Sequence, residues 1–311
     1  MEQAWCVGVD LGGTKIEAVV MDGAGQVFAR RRVPTPPGNY EATVRTVAAL
    51  VRGLEAEAGA ATALATGIGV PGSVSPRTGL IRNANTTCLN GRPLQADLEL
   101  ALSRPLRLEN DANCLALSEA LDGAARGAGS VFAVILGTGV GGGVVVHGRL
   151  LAGRNGIGGE WGHNPLPWMS PDEYPGRPCW CGRRGCIETL VSGSALAADF
   201  ECQSGVRADA REVAQRARQG DAAAEAALAR YEARLARALA AVINLLDPHV
   251  VVLGGGLSNV ERLYASVPRL WAPYVFADSV DTPLRPAVFG DASGVRGAAR
   301  LWKRTPTAAQ F

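Results

Sequence analysis

The sequence predicts an α/β fold of two lobes built to one plan, and three observations carry this. The apolar run WCVGVD meets the turn LGGTK and a second run, IEAVVMD; further on, VFAVIL meets GTGVGGG and then VVVHGR. Each pair is followed downstream by a strand ending in glycine, ATGIGVPG in the first half and VVVLGGG in the second. Amphipathic stretches fill the intervals, the alternation of strand and helix expected of an α/β chain.

Residues 5–10 read as the first strand, and the polar turn DGAGQ ends the run that pairs with it. YEATVRTVAALVRGLEAEAG is an amphipathic helix leading into ATGIGVPG. Leu106 to Leu108 make a short strand, after which Asn110-Asp111-Ala112-Asn113 opens a helix carrying Ala116, Leu117 and Ala120. In the second half a long helix places Leu228, Tyr231, Leu235, Leu239, Val242 and Leu246 on one face by steps of three and four. Asp247-Pro248 ends it. The proline-rich stretch 165–178 reads as a loop. The lobes are expected at 1–114 plus 293–311 and, larger, at 115–292.

A chain of 311 residues has room for roughly two domains, and 47% hydrophobic with 19% charged residues suits a globular protein. A net charge of +2 gives no reason to expect nucleic acid or an anionic membrane as partner. The N-terminus lacks the pattern of a signal peptide, and no run approaches the ~20 apolar residues of a membrane span. A cytoplasmic location is therefore expected, where disulfides are rare, and an odd count of seven cysteines agrees. Cys6, Cys88, Cys114 and Cys202 read as ordinary buried thiols. Only Lys15 and Lys303 are lysines among 31 cationic residues. Lys15, inside a glycine turn, suits a place where a compact ammonium is wanted, with chance placement as the competing explanation.

Three glycine turns end apolar strands: Asp10-Leu11-Gly12-Gly13-Thr14-Lys15, Gly137-Thr138-Gly139 and Gly254-Gly255-Gly256. Glycines let backbone N–H groups approach phosphate oxygens closely. Neither the Walker spacing nor a dinucleotide fingerprint is present, and each turn alone is a weak signal. Turns on two hairpins facing one cleft are a better one, because a triphosphate needs cradling from two sides. Asp10 suits a Mg²⁺ ion through its waters, or simply caps its turn. Asn110 and Asp111 are ordinary helix-capping types. Asp111 also suits the role of a base taking a hydroxyl proton during phosphoryl transfer. Both readings stand at this level.

The stretch CWCGRRGC places Cys179, Cys181 and Cys186 too close to pair sensibly, and C-x-C is not the redox spacing. Three thiolates around tight glycine turns make a partial shell for Zn²⁺, and His163 in GEWGHN completes a closed, structural tetrahedron. His147 and His249 read as surface or core residues. Glu160 and Glu188 are tethered to this knot, and rigidly held carboxylates are what a polyhydroxyl ligand needs. Neutralising Arg177, Arg183 or Arg184 is the plainer explanation for either carboxylate singly.

These motifs together resemble the sugar kinases of the ROK family, within the actin-like, ribonuclease-H-like ATPase superfamily. The resemblance runs from VGVDLGGTK to GDASGVRGAARLW and is most specific at GEWGH with CWCGRRGCIE. It implies a two-lobe fold with an interlobe cleft holding ATP and Mg²⁺, and a structural Zn²⁺ on His163, Cys179, Cys181 and Cys186. It implies Asp111 as general base and Asn110, Glu160, His163 and Glu188 as holders of sugar hydroxyls, joined by Asn85 of RNANTTCLNG. Gly12, Gly13, Thr14, Gly137, Thr138 and Gly254 to Gly256 would bind ATP, with Asp10, Lys15 and Gly139 beside them. Four stretches, IGVPGSVSPRTGL, RNANTTCLNGRPL, ENDANCLALSEALDGAA and GEWGHNPLPW, resemble the bacterial manno(fructo)kinases most closely.

The activity implied is transfer of phosphate from ATP to the 6-hydroxyl of a free hexose, D-fructose before mannose or glucose. N-acetylglucosamine or glucose as the main substrate is the nearest alternative. A sugar-responsive repressor would carry a DNA-binding element before the first strand, which here starts close to Met1. A non-enzymatic sensor would be expected to lack Asp111. The partners expected are hexose and ATP, with neither nucleic acid nor membrane, and the reading leaves room for a homodimer.

Overall fold

The computed structural model describes residues 5–302, so Lys303 and the tail TPTAAQF lie outside the described residues. The chain divides into two compact units. The first comprises Met1–Gly127, Gly143–Gly158 and Asp291–Phe311; the second comprises Ala128–Gly142 and Gly159–Gly290.

The first unit opens with β1 (Cys6–Leu11), β2 (Lys15–Met21) and β3 (Val27–Pro34), then α1 (Tyr40–Glu57), β4 (Ala65–Val70) and the small ribbon β5 (Ser73–Val74) and β6 (Ile81–Arg82). It continues through α2 (Leu94–Leu102), β7 (Leu106–Asn110) and α3 (Asp111–Leu121). Its main sheet runs β3-β2-β1-β4-β7, with the first three strands antiparallel and β4 and β7 parallel to β1. The run KIEAVVM is nearly all apolar because both faces of β2 are covered. Ile16, Ala18 and Val20 join the cluster containing Val47, Val51 and Leu54 of α1. Val19 and Met21 point the other way and pack with Val295 and Ala299.

β3 is a strand that hydrophobic patterning does not reveal. Its core is Arg30, Arg31 and Arg32, which reads as a polar surface. The structure supplies the reason: Glu17 on β2 is buried, and Arg30 and Arg32 both bond its carboxylate, Arg32 Nη2 to Oε2 at 2.6 Å. A charged edge strand of this kind also discourages pairing with another chain.

The second sheet runs β10-β9-β8-β11-β12, with β8 (Ser130–Leu136), β9 (Val140–Val146), β10 (Arg149–Leu150), β11 (Val250–Gly254) and β12 (Leu284–Pro286). β11 pairs parallel with β8, as β4 does with β1, so the expected duplication is present in the strand order. The helices of this half are α4 (Glu188–Val191), α5 (Gly193–Ser204), α6 (Ala210–Arg218), α7 (Ala222–Leu246) and α8 (Leu263–Trp271), and α9 (Ser293–Arg300) returns to the first unit.

α7 starts at Asp221, whose side chain accepts from the N–H groups of Ala223 and Ala224, and ends at Asp247 in the left-handed region, φ 43°. The predicted face is buried at Leu228, Tyr231, Leu235 and Leu239. Two arginines, Arg234 and Arg237, are buried as well. Arg234 bonds Glu173 at 2.9 Å and Asp199 at 2.9 Å, and Arg237 bonds Glu173 at 2.7 Å. The irregular loop after Pro165 is therefore anchored to α7 through a buried carboxylate. Burial alone would raise the Glu173 pKa, but the hydrogen bonds from Arg237 and Arg234 outweigh it and hold it at about 2. No helix among the described residues is long and apolar enough to cross a membrane.

Candidate active site

In the first unit the Asp10–Lys15 turn is closed by Gly12 N–H donating to Lys15 O at 3.0 Å and is strapped by Thr35, whose Oγ1 donates to Gly12 O at 2.7 Å. Gly13 and Thr14 are exposed at its tip. The Lys15 ammonium lies 3.6 Å from Asp291. Asp10 is pushed up to about 7, first by burial and then by the charges of Asp111 and Glu17. Glu17 is already paired with Arg30 and Arg32, which leaves Asp10 and Asp111 as the carboxylates that suit a hydrated divalent ion, bound through oxygen.

The electrostatic coupling of Asp10 and Asp111 brings together two residues a hundred positions apart in sequence. β7 delivers Asn110 and Asp111 to the start of α3. Asn110 is the helix cap: its Oδ1 accepts from Ala112 N–H at 2.9 Å and its Nδ2 donates to Gly72 O at 2.9 Å. Asp111 Oδ1 also accepts from Ala112 N–H, at 2.8 Å, which orients its carboxylate. Asn85 is exposed on the loop after β6. That loop is held by Asn90, which bonds Ala84 twice, Ala84 N–H to Oδ1 and Nδ2 to Ala84 O, each at 2.9 Å. Sequence reasoning did not single out Asn90; its only signal was an Asn-Gly pair, which marks a turn.

The second unit holds the other two glycine turns. Gly137 N–H donates to Gly139 O at 3.1 Å, and Thr138 is exposed between them. A Cβ on Gly139 would stand 2.6 Å from Glu188 Oε2 and would push that carboxylate aside. Gly255, at φ +80°, lies against the end of β8, where a Cβ would meet Leu136 O at 2.6 Å. The 137–139 and 254–256 turns are thus brought together at one end of β8 and β11.

His163, Cys179, Cys181 and Cys186 each offer one ligand atom, all within 4.8 Å of one another. Tetrahedral ligands about 2.3 Å from a zinc ion stand about 3.8 Å apart. The Cys181–Cys186 sulfur pair and the Cys179 Sγ to His163 Nδ1 pair are both at 3.6 Å. Soft sulfur donors at this spacing fit Zn²⁺. Cys181 is lowered to about 6, chiefly by the backbone N–H of Arg183, whereas burial raises Cys179 and pushes Cys186 up to about 12. A cation bound among them would favour the thiolate form of all three.

Backbone bonds knit the two motifs of this knot. Leu166 N–H reaches Gly185 O, Ile187 N–H reaches Asn164 O, and Glu188 N–H reaches Gly162 O, each at 2.9 Å. Glu188 Oε2 accepts from Val140 N–H at 3.0 Å and Oε1 from Trp180 Nε1 at 2.8 Å. Glu160 is exposed, while its neighbour Trp161 is buried, bonded to Gly141 O at 3.2 Å and edge-on to Phe132. Trp161, Trp180 and the Glu173 anchor carry the architecture of this region, and sequence reading had assigned none of them a part.

A family model described as ROK matches residues 6–305. An N-acetyl-D-glucosamine kinase of Yersinia enterocolitica is 39% identical over 298 residues, 94% of this chain and 98% of its own length. One from Vibrio parahaemolyticus is 39% identical over the same shares. Among solved structures, a ROK hexokinase from Thermus thermophilus has a TM-score of 0.84 at 38% identity, covering 95% of this chain and 96% of that one. A ROK family glucokinase from Streptomyces griseus, solved with glucose and AMPPNP, has a TM-score of 0.79 at 29% identity, covering 96% and 99%. The α/β, actin-like fold class expected from the sequence is the one these structures share with the chain.

Proposed function

We propose, for a chain that belongs to the ROK family and is an ATP-dependent hexose kinase, that it phosphorylates D-fructose at the 6-hydroxyl with Asp111 as general base. The observation that supports this base is the placement of Asp111 at the start of α3, oriented by Ala112 N–H and electrostatically coupled to Asp10. Asp111 takes the proton of the 6-hydroxyl as that oxygen attacks the γ-phosphorus; the bond to the β-phosphate oxygen breaks and ADP leaves. The glycine turns at 12–14, 137–139 and 254–256 are proposed to hold the nucleotide, with the Gly12 and Gly137 N–H groups closing the first two turns. Magnesium, held through water by Asp10, would supply charge neutralisation on the phosphoryl oxygens. Asn85, Asn110, Glu160, His163 and Glu188 are proposed to hold hexose hydroxyls, and a zinc ion on the Cys₃His cluster to keep His163 and Glu188 rigid. Of the four cysteines expected to be buried thiols, Cys114 is buried, Cys6 and Cys88 are half-buried and Cys202 is exposed.

Fructose rests on the stretches IGVPGSVSPRTGL and RNANTTCLNGRPL, which resemble the manno(fructo)kinases. A second reading, N-acetylglucosamine, is favoured by the curated kinases at 39% identity over nearly the whole chain. ADP release from Mg²⁺-ATP with fructose, mannose, glucose and N-acetylglucosamine separates the two. A kcat/KM highest for fructose supports the first reading. One highest for N-acetylglucosamine replaces it with the second.

A further inference from the structure

Trp180 is 65% exposed, an unusual setting for the largest apolar side chain, yet it is held at two points. Its Nε1 donates to Glu188 Oε1 at 2.8 Å, and its ring meets the His163 ring edge-on with centroids 4.8 Å apart. A ring this exposed gains little from burial, so its contribution lies in the N–H group. The backbone on either side is fixed. Cys179 N–H bonds Arg183 O at 2.8 Å and Gly182 N–H bonds Cys179 O at 3.0 Å, so the indole stands on a rigid knuckle between two metal-ligand positions.

A carboxylate has about four lone-pair directions. In Glu188 the Trp180 and Val140 N–H groups each take one, on opposite oxygens, which fixes the plane of the group. The other two directions then point along set lines, the condition for discriminating among hydroxyl arrangements.

We infer that Trp180 is a positioning residue of the sugar site, its indole N–H locking the Glu188 carboxylate in the orientation that accepts hexose hydroxyls. The inference deepens the proposed function and rests on reading Glu188 as a hydroxyl acceptor. It makes Trp180 the link through which the metal knot reaches the substrate: the knot sets the indole and the indole sets the carboxylate.

Trp180→Phe keeps a smaller aromatic ring beside His163 and removes the N–H. Loss of a hydrogen bond to a charged group should raise the Kd and KM for the best hexose about tenfold, with KM for ATP and bound zinc unchanged. Glu188→Gln and the double variant are measured beside it, using calorimetric hexose binding as well as turnover. The double variant should bind hexose no more weakly than Glu188→Gln alone, because the indole then has no carboxylate to orient. Should Glu188→Gln leave hexose affinity unchanged, the reading of Glu188 fails and the inference with it. Should Glu188→Gln weaken binding while Trp180→Phe does not, the inference alone is overturned. Zinc lost from Trp180→Phe along with hexose affinity would also overturn it, assigning the indole to the metal shell.

Discussion

The turn between β1 and β2 and the turn between β8 and β9 close hairpins at corresponding places in their sheets. In each hairpin the first strand also pairs in parallel with a later strand, β4 in one case and β11 in the other. Around the first turn carboxylates crowd: Asp10 is raised to about 7 by burial and by Asp111 and Glu17. Around the second a single carboxylate, Glu188, sits among donors from Val140 and Trp180. Topology thus decides where a turn lies, while its charge is set by what distant segments bring to it. In one case that is the start of α3; in the other it is the cysteine knot.

Asp111→Asn tests whether the chemistry resides with the first turn. Removing a general base should lower kcat by about 10²- to 10⁴-fold while hexose Kd stays within a few-fold. Turnover close to the parent enzyme would move the base elsewhere. Next in size is Glu173→Gln, which leaves buried Arg237 without its carboxylate and Arg234 with Asp199 alone. A loss of roughly 3 kcal/mol or more in urea unfolding is expected, larger than any single change at the turns. The Glu173 contribution is fully present above its ordinary carboxylate pKa of 4.5 and fades as pH falls from there through about 2. The parent should lose more stability in that acid window than the Gln variant; parallel profiles would dismiss the buried anchor.

Asp10→Asn sharpens the contrast from the other side. A carboxyl raised above its unfolded value favours the folded state when protonated, and that contribution is lost as pH rises through about 7. The nucleotide-free variant should therefore be more stable than the parent at pH 8 and bind Mg²⁺-ATP less well. A variant that is less stable at that pH would show that Asp10 is compensated after all. The smallest effect belongs to Gly139→Ala. Its Cβ would stand 2.6 Å from Glu188 Oε2, and tilting that carboxylate should cost about fivefold in hexose KM. An unchanged KM would mean that Glu188 has room to move.

Periodicity made α1, α7 and the two hairpins legible, because apolar residues at helical or strand spacing leave little other choice. The Cys₃His cluster and the strand-to-helix step at Asn110 and Asp111 were legible from spacing and residue type. β3 was hidden because the residues that hold it, Arg30 and Arg32, look like solvent-facing charge until Glu17 is placed beneath them. The same blindness concealed Arg234 and Arg237 on a helix face otherwise read correctly. Asn90, Trp161 and Trp180 were illegible for another reason: each acts on a partner fixed by loop geometry, and no local pattern announces such a pair.

The two bonds between Asn90 and Ala84 give the 83–90 loop a chemical clock. An amide side chain can both accept from the N–H and donate to the C=O of one residue, which a carboxylate cannot do. Asn90 is followed by Gly91 at φ +76°, a neighbour with no side chain to shield the amide from attack by the next peptide nitrogen. Hydrolytic ageing at this position replaces Nδ2 with oxygen, a change of about one dalton, and sets an anion against the Ala84 carbonyl that it formerly bound. Ageing at Asn90 would then act on the loop that carries Asn85 and leave the bonds of the sheets and the cysteine knot untouched.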